Sequence, residues 1–188
     1  MLGSVSKEAI FACLFAALLP VPALAANPIS EIRGGAYYHD AFLVGDTDET
    51  PKADLNLDVL FNSPHWLGWA FAPRPHIGGT LNFGGGTSLA FVGLDWTFDL
   101  FDNVVARNDA VFFGFSLDGA IHNGPISSPA TEESDSFGCR LNFHESASLG
   151  YRWGHNNLML TIEHMSNASL CSENDGLTNA GVRYGYHF

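Results

Sequence analysis

Between Asp54 and Phe61 the chain alternates acidic or amide residues, Asp54, Asn56 and Asp58, with large apolar ones, Leu55, Leu57, Val59 and Phe61. Successive side chains of an extended strand point to opposite faces, so this segment separates into one polar and one apolar face. The pattern returns at Val111, Phe113, Phe115 and Leu117, set against Gly114, Ser116 and Asp118. Carboxylates on one parity with aliphatics and rings on the other suit a barrel that is polar inside and meets lipid outside. A soluble sandwich or lipocalin-like barrel shows the same alternation, so the period alone leaves both architectures open.

Such segments number eight, near residues 31–44, 53–62, 75–83, 88–99, 110–121, 144–153, 157–166 and 178–188. The last of them places Val182, Tyr184, Tyr186 and Phe188 on one face and ends on an aromatic residue. On a soluble edge strand that face would invite aggregation. It resembles instead the C-terminal signal read by the machinery that assembles outer-membrane barrels, which makes that machinery an expected partner during biogenesis. The expected fold is all-β, an eight-stranded antiparallel transmembrane barrel. Eight strands enclose only side chains, which argues against bulk transport through the lumen.

The N-terminus agrees with export. Lys7 precedes an apolar stretch running to Leu19, followed by Pro20, Pro22 and Ala23-Leu24-Ala25. That stretch is too short to span a bilayer as a helix, and the Ala-x-Ala pattern predicts a signal peptide over residues 1–25, cleaved after Ala25. Residues 26–188 then form one domain, in which no run approaches the roughly 20 apolar residues of a spanning helix. The expected destination is the outer membrane of a Gram-negative cell. A formal charge of -12 with only 8 Lys and Arg residues argues against nucleic acid as a partner, because phosphate binding needs clustered cations.

The longest connection, from Asn123 to Phe143, holds Pro125, Pro129 and a Ser/Glu/Asp run from Thr131 to Ser136. In barrels of this class long loops are external and tight turns periplasmic. Trp153-Gly154-His155-Asn156 reads as a tight turn, so the far end of the seventh strand faces the exterior. Gly84-Gly85-Gly86-Thr87 lacks the lysine and helix of a phosphate loop and reads as a strand-connecting turn.

That far end carries Glu163-His164-Met165-Ser166-Asn167-Ala168. His164 and Ser166 continue the face of Leu158, Leu160 and Ile162, and can meet as base and nucleophile. A His-Ser pair within a lipid-facing row points to an esterase whose substrate is a lipid. The run His164-Met165-Ser166-Asn167-Ala168, followed by Asn174, Gly176 and a final aromatic strand, resembles the PagL-type lipid A 3-O-deacylases. Those are eight-stranded outer-membrane barrels that hydrolyse the ester-linked acyl chain at the 3-position of lipid A. The resemblance implies His164 as general base, Ser166 as nucleophile and Asn167 with Asn174 arranging the oxyanion site. It implies lipid A of lipopolysaccharide in the outer leaflet as substrate, and no metal or cofactor. The family's glutamate, fourteen residues after the histidine, is Thr178 here. Such an acid fixes the imidazole tautomer and stabilises the imidazolium. Its replacement leaves open a non-catalytic structural or adhesive barrel, and the pair alone leaves open a phospholipase or acyltransferase working on another lipid.

If the turn at 153–156 pairs Trp153 with Leu158, Glu145 faces Ser166 and is a diagonal neighbour of His164. Glu145 is then the expected substitute acid. Glu173 and Asp175 are alternatives, while parity sends Glu163 into the lumen. The same register sets Cys139 beside Cys171, and the two are expected to form a disulfide in an oxidising compartment. His39, His65, His76, His122 and His144 show no metal-ligand spacing and are expected as interfacial or loop residues. Nothing in the sequence decides between a monomer and a homodimer.

Overall fold

The computed structural model describes residues 28–41, 53–127 and 136–188. The expected signal peptide and its cleavage after Ala25 lie outside the described residues, as does most of the acidic run beginning at Thr131. The strands are β1 (Ile29–Tyr38), β2 (Ala53–Phe61), β3 (Arg74–Asn82), β4 (Leu89–Asp102), β5 (Asp109–His122), β6 (Leu141–Trp153), β7 (Asn156–Ser166) and β8 (Leu177–His187). Each pairs antiparallel with its neighbour in sequence, and β1 pairs with β8 to close the barrel. Closure gives every strand a partner on both sides and leaves no free sheet edge around the barrel, the condition for crossing a bilayer in extended form. The first expected strand ran too far, since β1 ends at Tyr38 and Asp40 takes a left-handed φ of 53°. A short 3₁₀ helix, His65–Ala70, lies between β2 and β3 where no element was expected.

The distribution of polarity is the reverse of a soluble domain. Leu57 is 56% exposed and Leu160 65%, whereas Asp58 and Glu31 are 0% exposed and Glu163 2%. Burying apolar surface away from water is worth roughly 25 cal/mol per Å², so an outer wall of this kind calls for hydrocarbon around it. Inside, each buried carboxylate meets cationic or donor groups, as a low-dielectric interior demands. Arg33 bonds Glu31 and Asp95, each at 2.8 Å, and Arg74 bridges the same two carboxylates at 2.7 and 2.8 Å. Farther up, Asp58, His76, Asp118 and His144 form a chain with contacts of 2.9, 2.7 and 2.7 Å. Above that chain Leu89, Phe91, Ala120, Phe137, Met165 and Leu177 cluster, and Phe91 stacks on His144 with ring centroids 4.5 Å apart. The lumen is filled at three levels, which leaves the wall and the loops to carry function.

Those contacts correct the expectation for the histidines. His76, His122 and His144 stand on the inward parity of their strands and are buried in the lumen, rather than lying at an interface or in a loop. His39, just past β1, is buried against Asp54 at 2.8 Å.

Connections 39–52, 83–88, 123–140 and 167–176 leave one end of the barrel, and 62–73, 103–108 and 154–155 leave the other. The first end holds the longest connection and is the external one by the length rule. The glycine run forms a turn as expected: Asn82 Oδ1 accepts from Gly84 N at 2.7 Å and Gly86 N at 2.9 Å. The β6–β7 hairpin turns on Gly154 and His155 alone, with Gly154 at φ 56°, so Trp153 pairs with Asn156 and not with Leu158. A left-handed first residue suits the twist of a two-residue hairpin. Every β6–β7 partner therefore shifts by two residues from the expected register.

Candidate active site

The shift matters most at His164. Glu145 on β6 and Thr178 on β8 are its direct cross-strand partners, and Ser166 stands opposite Phe143. Glu145 is therefore beside His164, not diagonal to it, and does not face Ser166. Glu145, His164 and Ser166 are half-buried on the outward parity, alternating with the buried Met165 and Glu163. Glu163 lies in the lumen, where its carboxylate accepts from Thr80 at 2.8 Å and Asn179 at 3.0 Å.

His164 Nδ1 lies 2.8 Å from Thr178 Oγ1. A hydroxyl thus contacts the imidazole from the position at which the sequence resemblance leads one to expect a carboxylate. Thr178 is 1% exposed, and its carbonyl accepts from Ala41 N at 2.7 Å, which ties the edge of the first external loop to the site. Among the described residues Glu145 makes no hydrogen bond to the ring and Ser166 Oγ makes none at all.

Beyond Ser166 the chain turns sharply around Asn167. Its Nδ2 donates to Phe137 O at 2.8 Å and to Glu173 O, its Oδ1 accepts from Cys171 N at 3.3 Å, and its backbone N–H donates to Asn174 Oδ1 at 2.7 Å. Both asparagines are thereby committed to shaping this loop. Ala168 and Ser169 follow with φ of 52° and 59°. Left-handed conformations at non-glycine residues cost about 1–2 kcal/mol each and persist where neighbours hold them. Besides the Asn167–Phe137 bond, two further ties hold this loop against the β5–β6 loop. The expected disulfide joins Cys139 to Cys171 with Cα atoms 6.0 Å apart. Asp175 accepts from Ser136 N at 2.6 Å and returns its own N–H to Ser136 O at 3.1 Å. That use removes Asp175 from the candidate acids. The amides of Ala168 and Ser169 donate to no group among the described residues.

Below His164 the outer wall is hollowed. Ile162 is flanked by Ala147 and Ala180, and one row lower Leu160 is flanked by Leu149 and Val182. These residues and Phe113 line an open apolar furrow across β6, β7 and β8. Sequence reasoning missed the two alanines. Their signal is a pair of small residues set, on each outward row, between a polar residue, Glu145 or Thr178, and the large apolar residues that follow.

A family model described as Lipid A 3-O-deacylase (PagL) matches residues 79–187, more than half of the chain. Among solved structures, a crystal structure of the outer membrane enzyme PagL aligns with a TM-score of 0.61 at 15% sequence identity, covering 85% of this chain and 100% of that one. At that identity the likeness establishes the barrel fold. A crystal structure of Neisserial surface protein A aligns with a TM-score of 0.49 at 8% identity, covering 88% of this chain and 100% of that one. No curated protein sequence matches the chain significantly. The family match takes in β4 to β8 with the whole outward-facing row around His164, and the chain belongs to the lipid A 3-O-deacylase (PagL) family.

Proposed function

We propose that the protein is a serine esterase that works in the outer leaflet of the outer membrane and removes the 3-position acyl chain of lipid A. The observation that carries this reading is the shared outward face of His164 and Ser166 at the head of an apolar furrow. A lipid ester can reach the pair by moving within the bilayer, with its acyl chain laid along Ile162 and Leu160. Height supports the outer leaflet. His164 lies eight residues above Asn156 at the periplasmic turn, which is roughly 20 Å along the membrane normal for a tilted strand. That is close to the outer edge of an apolar band about 25 Å tall, where sugar gives way to acyl chain.

With His164 Nδ1–H donating to Thr178, Nε2 is the base. It takes the proton of Ser166 Oγ as the oxygen attacks the ester carbonyl. The tetrahedral oxyanion draws on the amides of Ala168 and Ser169, held in place by the Asn167 and Asn174 clamp, and on Asn174 itself. Collapse breaks the ester C–O bond, His164 gives the proton to the departing sugar oxygen, which leaves as a hydroxyl, and the acyl group stays on Ser166. Water, deprotonated by His164, then releases a free fatty acid and restores the serine. Thr178 positions the imidazole, and Glu145 supplies the negative charge that favours its imidazolium. No step calls for a metal or cofactor.

We further infer that residues 1–25 are a leader removed on export and that the barrel assembly machinery inserts residues 26–188 into the outer membrane. Thr178 in the place of the glutamate favours a second reading, a catalytically silent structural barrel. Mass spectrometry of lipid A from cells with and without the protein separates the two. Loss of one 3-linked acyl chain is expected, and an unchanged lipid A profile would leave the silent barrel.

A further inference from the structure

At the barrel end opposite the catalytic pair, β3 begins at Arg74, paired with Asp95, while β4 continues to Asp102. From Trp96 downward β4 therefore lacks a strand on its β3 side. The 3₁₀ helix His65–Ala70 comes to rest there. Trp96 Nε1 donates to Ala70 O at 2.8 Å, and Phe71 packs edge-on against Phe98 with centroids 6.4 Å apart. Trp96 and Phe98 have the parity opposite to the lumen residue Asp95, so the helix sits on the outward face of the wall.

The segment is built to show its rings rather than bury them. Leu67 is buried and pins it, and Ala72 N closes back on Leu67 O at 3.1 Å. Phe71 and Ala72 hold left-handed φ values of 65° and 51° without glycine, a strained backbone kept by its surroundings. The result is Trp69 at 83% exposure and Phe71 at 81%, and Phe101 and Val105, on the β4–β5 hairpin at the same barrel end, are exposed as well. The helix has no acidic residue in its first turn and no basic residue in its last. In water each such side chain would forgo about 1.5–3 kcal/mol of burial. The patch is continuous with the lipid-facing wall through Trp96 and Phe98, and tryptophan favours the boundary between headgroups and acyl chains.

We propose that His65–Ala70 with Phe71 is a foot seated in the headgroup boundary of the inner leaflet, its occupant being phospholipid. A foot of this kind fixes how deep the barrel sits and so holds His164 and Ser166 level with the ester of lipid in the other leaflet. That second clause rests on the proposed esterase, whereas the seating does not.

Seating is tested by fluorescence in phospholipid vesicles. In the Trp66→Phe/Trp153→Phe protein, of the 4 tryptophans only Trp69 and Trp96 remain, and adding Trp69→Phe leaves Trp96, so the difference reports Trp69. Lipids brominated near the carbonyl end should quench Trp69 more strongly than lipids brominated near the chain terminus, and aqueous acrylamide should quench it weakly. Quenching by acrylamide without quenching by brominated lipid overturns the proposal, as does protection from both, which would mean a protein cover. Depth is tested with Trp69→Ser/Phe71→Ser, which should lower lipid A deacylation at least about fivefold in vesicles and leave it unchanged in mixed detergent micelles, while Trp69→Phe keeps activity in both. A serine pair as active in vesicles as the parent overturns the depth-setting role. If the parent itself deacylates nothing, it is the esterase reading that fails, and the quenching result stands on its own.

Discussion

His164 and Thr178 face one another across β7 and β8 with Nδ1 and Oγ1 2.8 Å apart. A hydroxyl there can orient the imidazole, but in the proposed mechanism it would bring no negative charge to the imidazolium formed as Ser166 gives up its proton. Glu145 is the cross-strand partner on the other flank of the same histidine, and the proposed mechanism assigns that charge to its carboxylate.

Replacing Thr178 by Val removes the oxygen while keeping the shape. One hydrogen bond is worth about 1–1.5 kcal/mol, so kcat should fall roughly tenfold with little change in KM. Steady-state deacylation of purified lipid A is the measurement, and a KM effect alone would place Thr178 in substrate binding.

Glu145→Gln should lower kcat by about 10²-fold, within the range by which partners of a catalytic histidine act. Thr178→Glu in that background should recover part of the loss. A Gln variant as active as the parent would show that the histidine works with Thr178 alone.

Ser166→Ala and His164→Asn should each abolish release of the 3-linked chain while leaving heat-modifiable migration unchanged, because neither side chain packs in the lumen. Mass spectrometry of lipid A reads the first outcome and gel mobility the second. Residual deacylation in the serine variant would move the nucleophile elsewhere.

Ala180→Leu fills the furrow directly beside Ile162. Lipid A deacylation should fall about tenfold, whereas hydrolysis of a short, soluble ester should be nearly unchanged, since loss of one acyl contact region costs about 1–3 kcal/mol. Equal loss on both substrates would mean that the substitution had disturbed His164 itself.

Cys171→Ser opens a covalent loop with a sequence separation of 32 residues, a constraint worth roughly 3–4 kcal/mol in the chain-entropy picture. The loss should be local: faster proteolysis of the 167–176 loop, lower kcat, and an intact barrel. Limited proteolysis with peptide mapping checks it, and unchanged cleavage kinetics would show that the Asn167 and Asp175 bonds hold the loop unaided.

The wall was easier to foresee than the contacts across it. Parity follows from a two-residue period within one strand, so the outward row Leu158, Leu160, Ile162, His164 and Ser166 and the inward Glu163 could be placed from the sequence. Register depends on the turn, and the sequence does not mark how short the Gly154-His155 loop is; a loop two residues longer would displace Glu145 from its seat beside His164. The Cys139–Cys171 bond survives such a shift because both residues lie in loops beyond the ladder. The lumen pairs are less accessible still: Thr80 with Glu163 and Arg33 with Asp95 lie 83 and 62 residues apart, brought together only by closure of the barrel. The 3₁₀ foot was hidden for another reason. His-Trp-Leu-Gly-Trp-Ala has neither a strand period nor the length of an amphipathic helix.

His164 and Ser166 face outward beside a furrow that is open on its lipid side. The polypeptide furnishes a single bank of the cleft, and the bank opposite is fluid, made of whichever acyl chains lie alongside at that moment. Under the proposed mechanism, catalysis would inherit the physical state of its surroundings. Cooling the bilayer through its melting transition should stiffen the missing side of the cleft and slow turnover more steeply than any barrier in the protein would require.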